Sequence, residues 1–205
     1  PKDLEETYLP AFQATVVEGK AESVMCAYNA IDGVPACANK VLLTDYLRDK
    51  WGFKGFVVSD CAAVFDVYHK ANHGYTATPE EGIKAVFDAG MDLICGDAEE
   101  ANHINSALKK GLVTEAQIDK SLVRLFTARM RLGQFDARTQ VFPKITANDN
   151  DTEQHRNLAR KIASESLVLL KNKENFLPFK SSVKKLAVVG PNADSVAALE
   201  GNYNG

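Results

Sequence analysis

The sequence predicts an α/β fold built around a parallel sheet. Three short apolar runs, at 23–28, 55–60 and 91–95, have the length and composition of buried strands. Segments with helical periodicity separate these runs and follow the last of them. Because strands that alternate with helices of about 10–15 residues are typical of βα units, we expect the strands to be parallel.

The first helix and the first strand lie at the start of the chain. Asp3 and Glu6 have the spacing of a helix-capping pair, apolar residues recur at helical intervals as far as Val16, and Gly19 follows. A polar segment closes the run 23–28, which therefore indicates a buried strand that leads into a loop.

A short helix precedes the second strand. We expect Thr44 to cap this helix and Gly52 to end it. The run 55–60 follows at once, and its only acidic residue, Asp60, stands at its carboxyl end. The sequence therefore predicts that Asp60 leaves the sheet at the edge where the connecting loops meet.

The clearest helix start of the chain precedes the third strand. Thr78 as N-cap, Pro79 at the first helical position and Glu81 at the third coincide there, and Gly90 supplies the stop. The predicted strand at 91–95 follows directly.

Two further helices complete this part of the chain. We expect them at 98–110 and 115–132. The second has Thr114 as its N-cap, Gln117 at its third position and Gly133 beyond its last turn.

The helical pattern then gives way to a polar segment that predicts a linker. We expect a first domain, a linker and the opening of a second α/β domain, at 1–136, 137–151 and 152–205. The second domain begins with helical periodicity, followed by two apolar runs that indicate strands, at 153–166, 167–170 and 185–191.

Composition and charge narrow the possible functions. With 45% hydrophobic residues the chain can bury a core, so we do not expect disorder. Its net charge of -3, with both signs mixed along the chain, argues against a nucleic-acid partner. No apolar run approaches the roughly 20 residues that cross a bilayer, so we expect no membrane association. Because the chain does not begin with Met, we expect its natural N-terminus to lie upstream; the compartment stays open, with a periplasmic or extracellular location favoured.

The cysteines and histidines do not predict a metal site. The four cysteines are widely spaced, and none of the histidines has a partner at metal-ligand spacing. Cys26 and Cys37 flank a Gly/Pro turn and can either pair in an oxidising compartment or remain buried free thiols.

Asp60 is the first candidate for chemistry. A carboxylate that rigid backbone holds at a strand end can attack an anomeric carbon. Asp after Ser at a strand-to-helix turn is also a common helix cap, so both interpretations of Asp60 stay open on the residues alone.

Other residues near the predicted strand ends are weaker candidates. The Tyr28 phenol can hydrogen-bond Asp60 or a sugar, or it can simply pack at the rim. Met25 by itself indicates core. Cys61 indicates a small buried residue rather than a nucleophile, because the sequence places no histidine near it. Asp97 is a second strand-end carboxylate that also fits a helix start.

Five blocks of the sequence together resemble glycoside hydrolase family 3. In chain order they are VMCAYNAIDGVPAC, LRDKWGFKGFVVSDC, YTATPEEGIKAVFDAGMDLICGD, ASESLVLLKNKENFLPF and KLAVVGPNAD, and GFVVSD resembles the family's nucleophile signature. The resemblance implies the C-terminal part of a (β/α)8 TIM-like barrel over 1–136, with its last three strands. It also implies a linker and the beginning of an α/β sandwich domain after the barrel.

The same resemblance implies roles for single residues. Asp60 matches the family's catalytic nucleophile, while Met25 and Tyr28 match residues that line the subsite of the sugar being cleaved. Cys61 stands where β-glucosidases of the family usually have Trp, and SDC, MCAYN, YTATPEE and GNYNG resemble the β-xylosidase branch. A smaller side chain there would reshape the sugar pocket, so Cys61 joins the substrate-binding candidates.

The implied activity is retaining hydrolysis of terminal non-reducing β-linked sugars, as a β-xylosidase acting on xylo-oligosaccharides. Asp60 forms a glycosyl-enzyme, and a second carboxyl roughly 5–5.5 Å away acts as acid and then as base. In this family the second carboxyl generally comes from a Glu of the sandwich domain, which no block here matches. The family's Lys-His pair and the aspartate that hydrogen-bonds the sugar hydroxyls belong to earlier barrel strands. We therefore expect these 205 residues alone to be inactive.

Alternative functions remain open beside this one. Within the family they are a β-glucosidase or an α-L-arabinofuranosidase; from another class, the alternative is a non-catalytic carbohydrate-binding homologue. The resemblance implies no metal and no organic cofactor. Expected partners are a small oligosaccharide or aryl glycoside, with no nucleic acid and no membrane, and the oligomeric state stays open.

Overall fold

The computed structural model describes residues 2–136 and 144–200. The chain divides into two compact units, Pro1–Lys144 and Ile145–Gly205. No helix in the described ranges is both long and apolar enough to cross a lipid bilayer. The elements of the first unit are a π-helical segment (Leu4–Tyr8), α1 (Leu9–Val17), β1 (Ser23–Cys26), β2 (Ala30–Ile31), β3 (Val34–Pro35), a 3₁₀ turn (Ala36–Ala38), the π-type helix α2 (Val41–Lys50), β4 (Phe56–Ser59), α3 (Ala63–Tyr68), α4 (Pro79–Ala89), α5 (Ala98–Lys109) and α6 (Glu115–Arg131).

The central sheet is parallel, as the sequence predicts for an α/β fold. β1 pairs with β4 in parallel, with Met25 opposite Val58. Val58 also forms a single parallel bridge with Leu93. The third strand, expected at 91–95, is therefore reduced to this one bridge, while β2 and β3 form a separate antiparallel hairpin.

The two faces of the parallel sheet differ in burial because side chains alternate along a strand. Val57 is completely buried and Ser59 is 1% exposed, and Val57 packs in a core with the helices. Residues that pair in register share a face, so Met25 and Leu93 lie with Val58 on the opposite face. Met25 and Leu93 are 56% and 42% exposed, which makes this second face a partly open apolar surface.

The helix starts that the sequence marks most clearly are confirmed. At the start of α4, Thr78 Oγ1 accepts a hydrogen bond from the Glu81 amide at 3.3 Å, and Glu81 Oε2 accepts one from the Thr78 amide at 3.1 Å. Gly90 ends this helix with φ at +100°, a conformation that glycine adopts without strain. Thr114 and Gln117 form the same reciprocal pair at the start of α6.

The cap predicted at Thr44 is wrong. α2 begins earlier, at Val41, and Asn39 Oδ1 accepts a hydrogen bond from the Leu42 amide at 3.1 Å. The Thr44 hydroxyl instead donates to the Ala89 carbonyl at 2.8 Å and ties α2 to the end of α4. Asn and Thr both favour helix starts, so local sequence did not separate the two positions.

A buried carboxylate joins three elements of this unit. The Asp92 side chain is completely buried, and its oxygens accept hydrogen bonds from Arg48 at 2.5 Å and Arg124 at 2.7 Å. Asp92 Oδ2 also accepts from the Val57 amide at 2.8 Å. Because these donors belong to α2, α6 and β4, the ion cluster fixes two helices against the sheet.

The second unit contains helices and no strand among its described residues. Its elements are a 3₁₀ turn (Ala147–Asp149), α7 (Glu153–Glu165), a second 3₁₀ turn (Lys173–Asn175) and α8 (Val196–Glu200). α7 confirms the helix predicted at 153–166, but the strands predicted at 167–170 and 185–191 do not form. Side chains there are open to solvent, with Leu170 92% and Val189 85% exposed. A strand needs a pairing partner, and the described part of this unit offers none.

Candidate active site

The carboxyl ends of the parallel strands bring the candidate residues together. Asp60 follows β4 directly, and Tyr28 lies two residues beyond β1. The Asp60 amide donates to the Cys26 carbonyl at 3.2 Å, and the Ala62 amide donates to the Cys95 carbonyl at 3.0 Å. Main-chain hydrogen bonds thus hold the turn after β4 to both neighbouring segments.

The Asp60 carboxylate does not cap the following helix. Its Oδ1 accepts a hydrogen bond from the amide of Cys61 at 2.7 Å. α3 begins only at Ala63, and its N-cap residue, Ala62, has a left-handed φ of +65° and no side-chain cap. Among residues 2–136 and 144–198 we find no hydrogen-bond or ion-pair partner for Oδ2, which leaves this oxygen available to a ligand.

Tyr28 reaches the residue after Asp60 rather than its carboxylate. The Tyr28 hydroxyl donates a hydrogen bond of 2.6 Å to the carbonyl of Cys61. His73 Nε2 lies 2.6 Å from the carbonyl of Tyr28, so the loop after α3 contacts the loop after β1. Tyr28 as a whole is 48% exposed, and it can therefore contact a ligand beside Asp60.

Met25 lies on the sheet face that leads to Asp60. Met25 is opposite Val58 in the β1–β4 register, and Asp60 follows Val58 by two residues, which keeps it on the same face. Met25 also lines an apolar cavity of about 570 Å³ together with Tyr8 and Phe12. The expectation that Met25 alone indicates core is wrong, because the residue is more than half exposed.

Cys61 is neither buried nor a free thiol. It is exposed and forms a disulfide with Cys95, with 4.5 Å between the Cα atoms. The expectation of a small buried residue therefore fails. The pair was predictable in principle, since both cysteines follow neighbouring parallel strands and the ends of such strands lie side by side. His73 carried no comparable signal, because its contact depends on a loop.

The pairing of Cys26 and Cys37, which the sequence left open, is a disulfide. The Cα atoms are 5.1 Å apart, and the two residues are 4% and 1% exposed. The bridge links the end of β1 to the 3₁₀ turn after β3. It stabilises the segment from which Tyr28 projects.

Asp97 is a helix cap, which is one of the two roles that its sequence context allowed. It is the N-cap of α5, where its Oδ1 accepts a hydrogen bond of 2.7 Å from the Glu99 amide and Glu100 completes the reciprocal pair. The bond from the Glu99 amide, followed by that with Glu100, lowers the pKa of Asp97. A general acid needs a raised pKa, so Asp97 is unsuited to protonate a leaving group.

Within the described ranges, no group of three or more His, Cys, Asp or Glu side chains is arranged to hold a metal ion. The groups able to contact a substrate at this edge are the Asp60 carboxylate, the Tyr28 phenol and the exposed sulfur-bearing side chains of Met25 and Cys61.

The profile of the glycosyl hydrolase family 3 N terminal domain matches residues 1–128. The chain belongs to glycosyl hydrolase family 3. The resemblance inferred from the sequence blocks is thereby confirmed, and the described architecture is the α/β fold with few strands of that N-terminal domain.

Relatives of this family 3 chain include curated β-xylosidases. Probable beta-D-xylosidase 7 of Arabidopsis thaliana is 44% identical over 99% of this chain and 26% of its own length. Xylan 1,4-beta-xylosidase of Xylanibacter ruminicola is 40% identical over 100% of this chain and 24% of its own length. The chain thus spans about a quarter of the length of the curated relatives it matches.

Solved structures of the family are also similar. A GH3 exo-beta-xylosidase in complex with a xylobiose aziridine probe matches 99% of this chain and 26% of its own, with a TM-score of 0.79 and 37% identity. A beta-glucosidase from Listeria innocua matches 86% of this chain and 24% of its own, with a TM-score of 0.66 and 34% identity.

Proposed function

We propose that this chain carries the nucleophile of a retaining β-glycosidase that hydrolyses terminal non-reducing β-linked sugars, namely a β-xylosidase acting on xylo-oligosaccharides. The observation that carries the proposal is the position of Asp60. Its carboxylate follows a parallel strand and has one oxygen without a protein partner in the described ranges, in a chain of glycosyl hydrolase family 3. The names of similar proteins support xylosides as substrates.

In the proposed mechanism, Asp60 Oδ2 attacks the anomeric carbon while Oδ1 stays hydrogen-bonded to the Cys61 amide. The bond to the departing sugar breaks, and a second carboxylic acid protonates the leaving oxygen. Water activated by that same carboxylate then releases the sugar from Asp60 with net retention. Because the helix cap occupies Asp97 and lowers its pKa, we assign the second carboxyl to another part of the full-length protein.

We assign the sugar subsite to Met25, Tyr28 and Cys61 together with Asp60. The half-exposed phenol of Tyr28 offers a face and an edge to the sugar ring, and the thioether of Met25 offers an apolar floor. Cys61 contributes a compact disulfide where a larger side chain would occupy the pocket. The proposed partner is a small oligosaccharide or aryl glycoside.

The proposed domain arrangement is the C-terminal part of a (β/α)8 barrel at 1–136, a linker at 137–151 and the start of an α/β sandwich domain at 152–205. Two observations support it. β1 and β4 are parallel with helices on one face, and their other face carries exposed apolar side chains as a barrel interior would. The division into compact units at 144/145 also falls inside the proposed linker.

The compartment proposed for the protein is periplasmic or extracellular. The chain contains two disulfides, Cys26–Cys37 and Cys61–Cys95. Disulfides persist mainly in oxidising environments, and this supports an exported protein.

Turnover of three aryl glycosides by the full-length protein tests the proposal. We expect the highest kcat/KM with an aryl β-xyloside, compared with the matched β-glucoside and α-L-arabinofuranoside, and loss of turnover in Asp60→Ala. A preference for the β-glucoside would instead favour a β-glucosidase, which is how the similar Listeria innocua protein is named. A preference for the arabinofuranoside would favour an α-L-arabinofuranosidase. A relative from Medicago sativa is named for both activities, as a beta-xylosidase/alpha-L-arabinofuranosidase. Absence of turnover, with retained sugar binding, would favour the non-catalytic homologue.

A further inference from the structure

Cys61 is attached to its surroundings at three points that all bear on Asp60. Its amide donates to Asp60 Oδ1 at 2.7 Å, and its carbonyl accepts from the Tyr28 hydroxyl at 2.6 Å. Its sulfur is bonded to Cys95 at the end of the neighbouring segment. The next residue, Ala62, is held to Cys95 as well, through a main-chain hydrogen bond of 3.0 Å.

We propose that the Cys61–Cys95 disulfide is a positioning device for Asp60, which fixes the Cys61 amide so that the attacking carboxylate is kept in one orientation. This inference rests on the function proposed above. Cys61 and Cys95 are positioning residues here, because they act on the reaction through Asp60.

The other restraints on the turn at 60–62 are weaker than the disulfide. The turn at 60–62 contains a left-handed non-glycine residue, Ala62, a conformation that costs free energy unless neighbouring contacts hold it. Cys61 itself is exposed, so side-chain packing cannot hold it there. The covalent bridge across 34 residues is the strongest restraint on this turn, and the Cys61 amide moves with it.

The two disulfides differ in exposure, which makes the proposed device selectively reducible. Cys26 and Cys37 are 4% and 1% exposed, whereas Cys61 is exposed. Thiol–disulfide exchange requires access of the attacking thiolate to sulfur, so a dithiol reaches Cys61 first. One dithiol molecule gives two electrons and two protons to the bridge, which becomes two thiols, and leaves as its own cyclic disulfide.

The test compares Cys61→Ser/Cys95→Ser with the control Lys84→Ser/Asp88→Ser in the full-length protein. We expect the first double variant to lose about 10–100-fold in kcat for an aryl β-xyloside with KM changed less than threefold, because displacement of a reacting group by about 1 Å has that effect. The control, which removes a surface ion pair of α4 and leaves both disulfides intact, should keep kcat within threefold at a temperature where it is folded. Equal kcat in the first variant and the wild type would overturn the proposal.

A second measurement avoids variants that fail to fold and does not depend on turnover. The wild-type protein is treated with dithiothreitol, the thiols are alkylated, and peptide mapping identifies which bridge has opened. Hydrogen–deuterium exchange of the peptide that contains Cys61 and Ala62 should become at least tenfold faster once Cys61–Cys95 is open and Cys26–Cys37 is intact. Unchanged exchange in that state would contradict the positioning role even if the protein proved to have another activity. Faster exchange in a protein without turnover would count against the proposed function alone.

Discussion

The hydroxyl of Tyr28 donates a hydrogen bond of 2.6 Å to the main-chain carbonyl of Cys61, the residue that follows Asp60. The contact joins the loop after β1 to the turn after β4 across the carboxyl edge of the sheet. Tyr28 is therefore placed to act in two ways, as a wall for the sugar and as a support for the backbone that orients Asp60.

Replacement of this hydroxyl should reduce activity more than stability. In Tyr28→Phe the ring remains and one hydrogen bond is lost, which is worth about 0.5–1.5 kcal/mol. We expect kcat/KM for an aryl β-xyloside to fall roughly 3–10-fold in the full-length protein, with little change in Tm. Tyr75→Phe is the control, since Tyr75 is 46% exposed, much like Tyr28, and its hydroxyl has no hydrogen-bond partner among the described residues. An unchanged kcat/KM in Tyr28→Phe would show that the hydrogen bond to the Cys61 carbonyl does not contribute to catalysis.

Removal of the buried carboxylate at position 92 should destabilise the first unit. Asp92→Asn leaves Arg48 and Arg124, whose side chains are 9% and 18% exposed, without an anionic partner. Loss of one partner from a buried ion cluster costs about 3–5 kcal/mol. Chemical denaturation of the full-length protein measures this loss.

The control for that variant is Asp88→Asn. Asp88 pairs with Lys84 at the surface, where both side chains are nearly half exposed. Such pairs contribute about 0–1 kcal/mol, so the control should unfold close to the wild type. Equal destabilisation by both variants would contradict the role assigned to Asp92.

Some of the helix caps could be predicted from sequence, in contrast to these tertiary contacts, although the pair expected at Asp3 and Glu6 forms no side-chain cap. Thr78 with Glu81 lies within one turn of chain, so local spacing is enough to predict the helix start. The Thr44 cap failed because a competing start at Asn39 lies only a few residues away. The strand expected at 91–95 is one bridge at Leu93, because strand length depends on how long a partner runs alongside.

In the candidate site, too, features set by local sequence could be predicted, whereas contacts between distant residues could not be predicted from spacing. The position of Asp60 at a strand end could be predicted because a short apolar run precedes it. Spacing along the chain alone does not identify the partner of Cys61, since Cys95 lies 34 residues away. The pair follows only once the predicted strands are placed side by side, which brings the two residues together. The contact of His73 with Tyr28 depends on a loop conformation that has no sequence signature.

Acid stability should depend on Glu80. Hydrogen bonds from Lys110, and then from Ser106, lower the pKa of Glu80 from 4.5 to about 2. A carboxyl group whose pKa is lower in the folded than in the unfolded state makes its full contribution to stability at pH values above its unfolded-state pKa. That contribution is lost as the pH falls toward its folded-state pKa. We therefore expect the loss of stability between pH 4.5 and pH 2 to be smaller in Glu80→Gln than in the wild type.

The control for the acid series is Glu115→Gln. The Glu115 side chain has no hydrogen bond or ion pair among the described residues, and this variant should follow the wild-type pH curve. Unfolding midpoints measured at half-unit pH intervals provide the comparison. If Glu80→Gln and the wild type lost stability in parallel below pH 4.5, the bond with Lys110 would have no thermodynamic effect.

The 205 residues alone should not hydrolyse an aryl β-xyloside. Retaining hydrolysis needs a second carboxyl at roughly 5–5.5 Å from the nucleophile, with a raised pKa in its acid role. Asp97, the other acid at a strand end, is a helix cap with a lowered pKa. Turnover by the isolated chain that Asp60→Ala abolishes would mean that the acid lies within these residues.

The most direct test of the central claim is covalent trapping of the nucleophile. The full-length protein is incubated with an activated aryl 2-deoxy-2-fluoro-β-xyloside, whose fluorine slows release of the glycosyl-enzyme, and the labelled peptide is sequenced by mass spectrometry. We predict one fluoroxylosyl group per chain, in ester linkage to Asp60 and absent from Asp60→Ala. A label on any other residue, or no label in a protein that hydrolyses the parent xyloside, would contradict the assignment of Asp60.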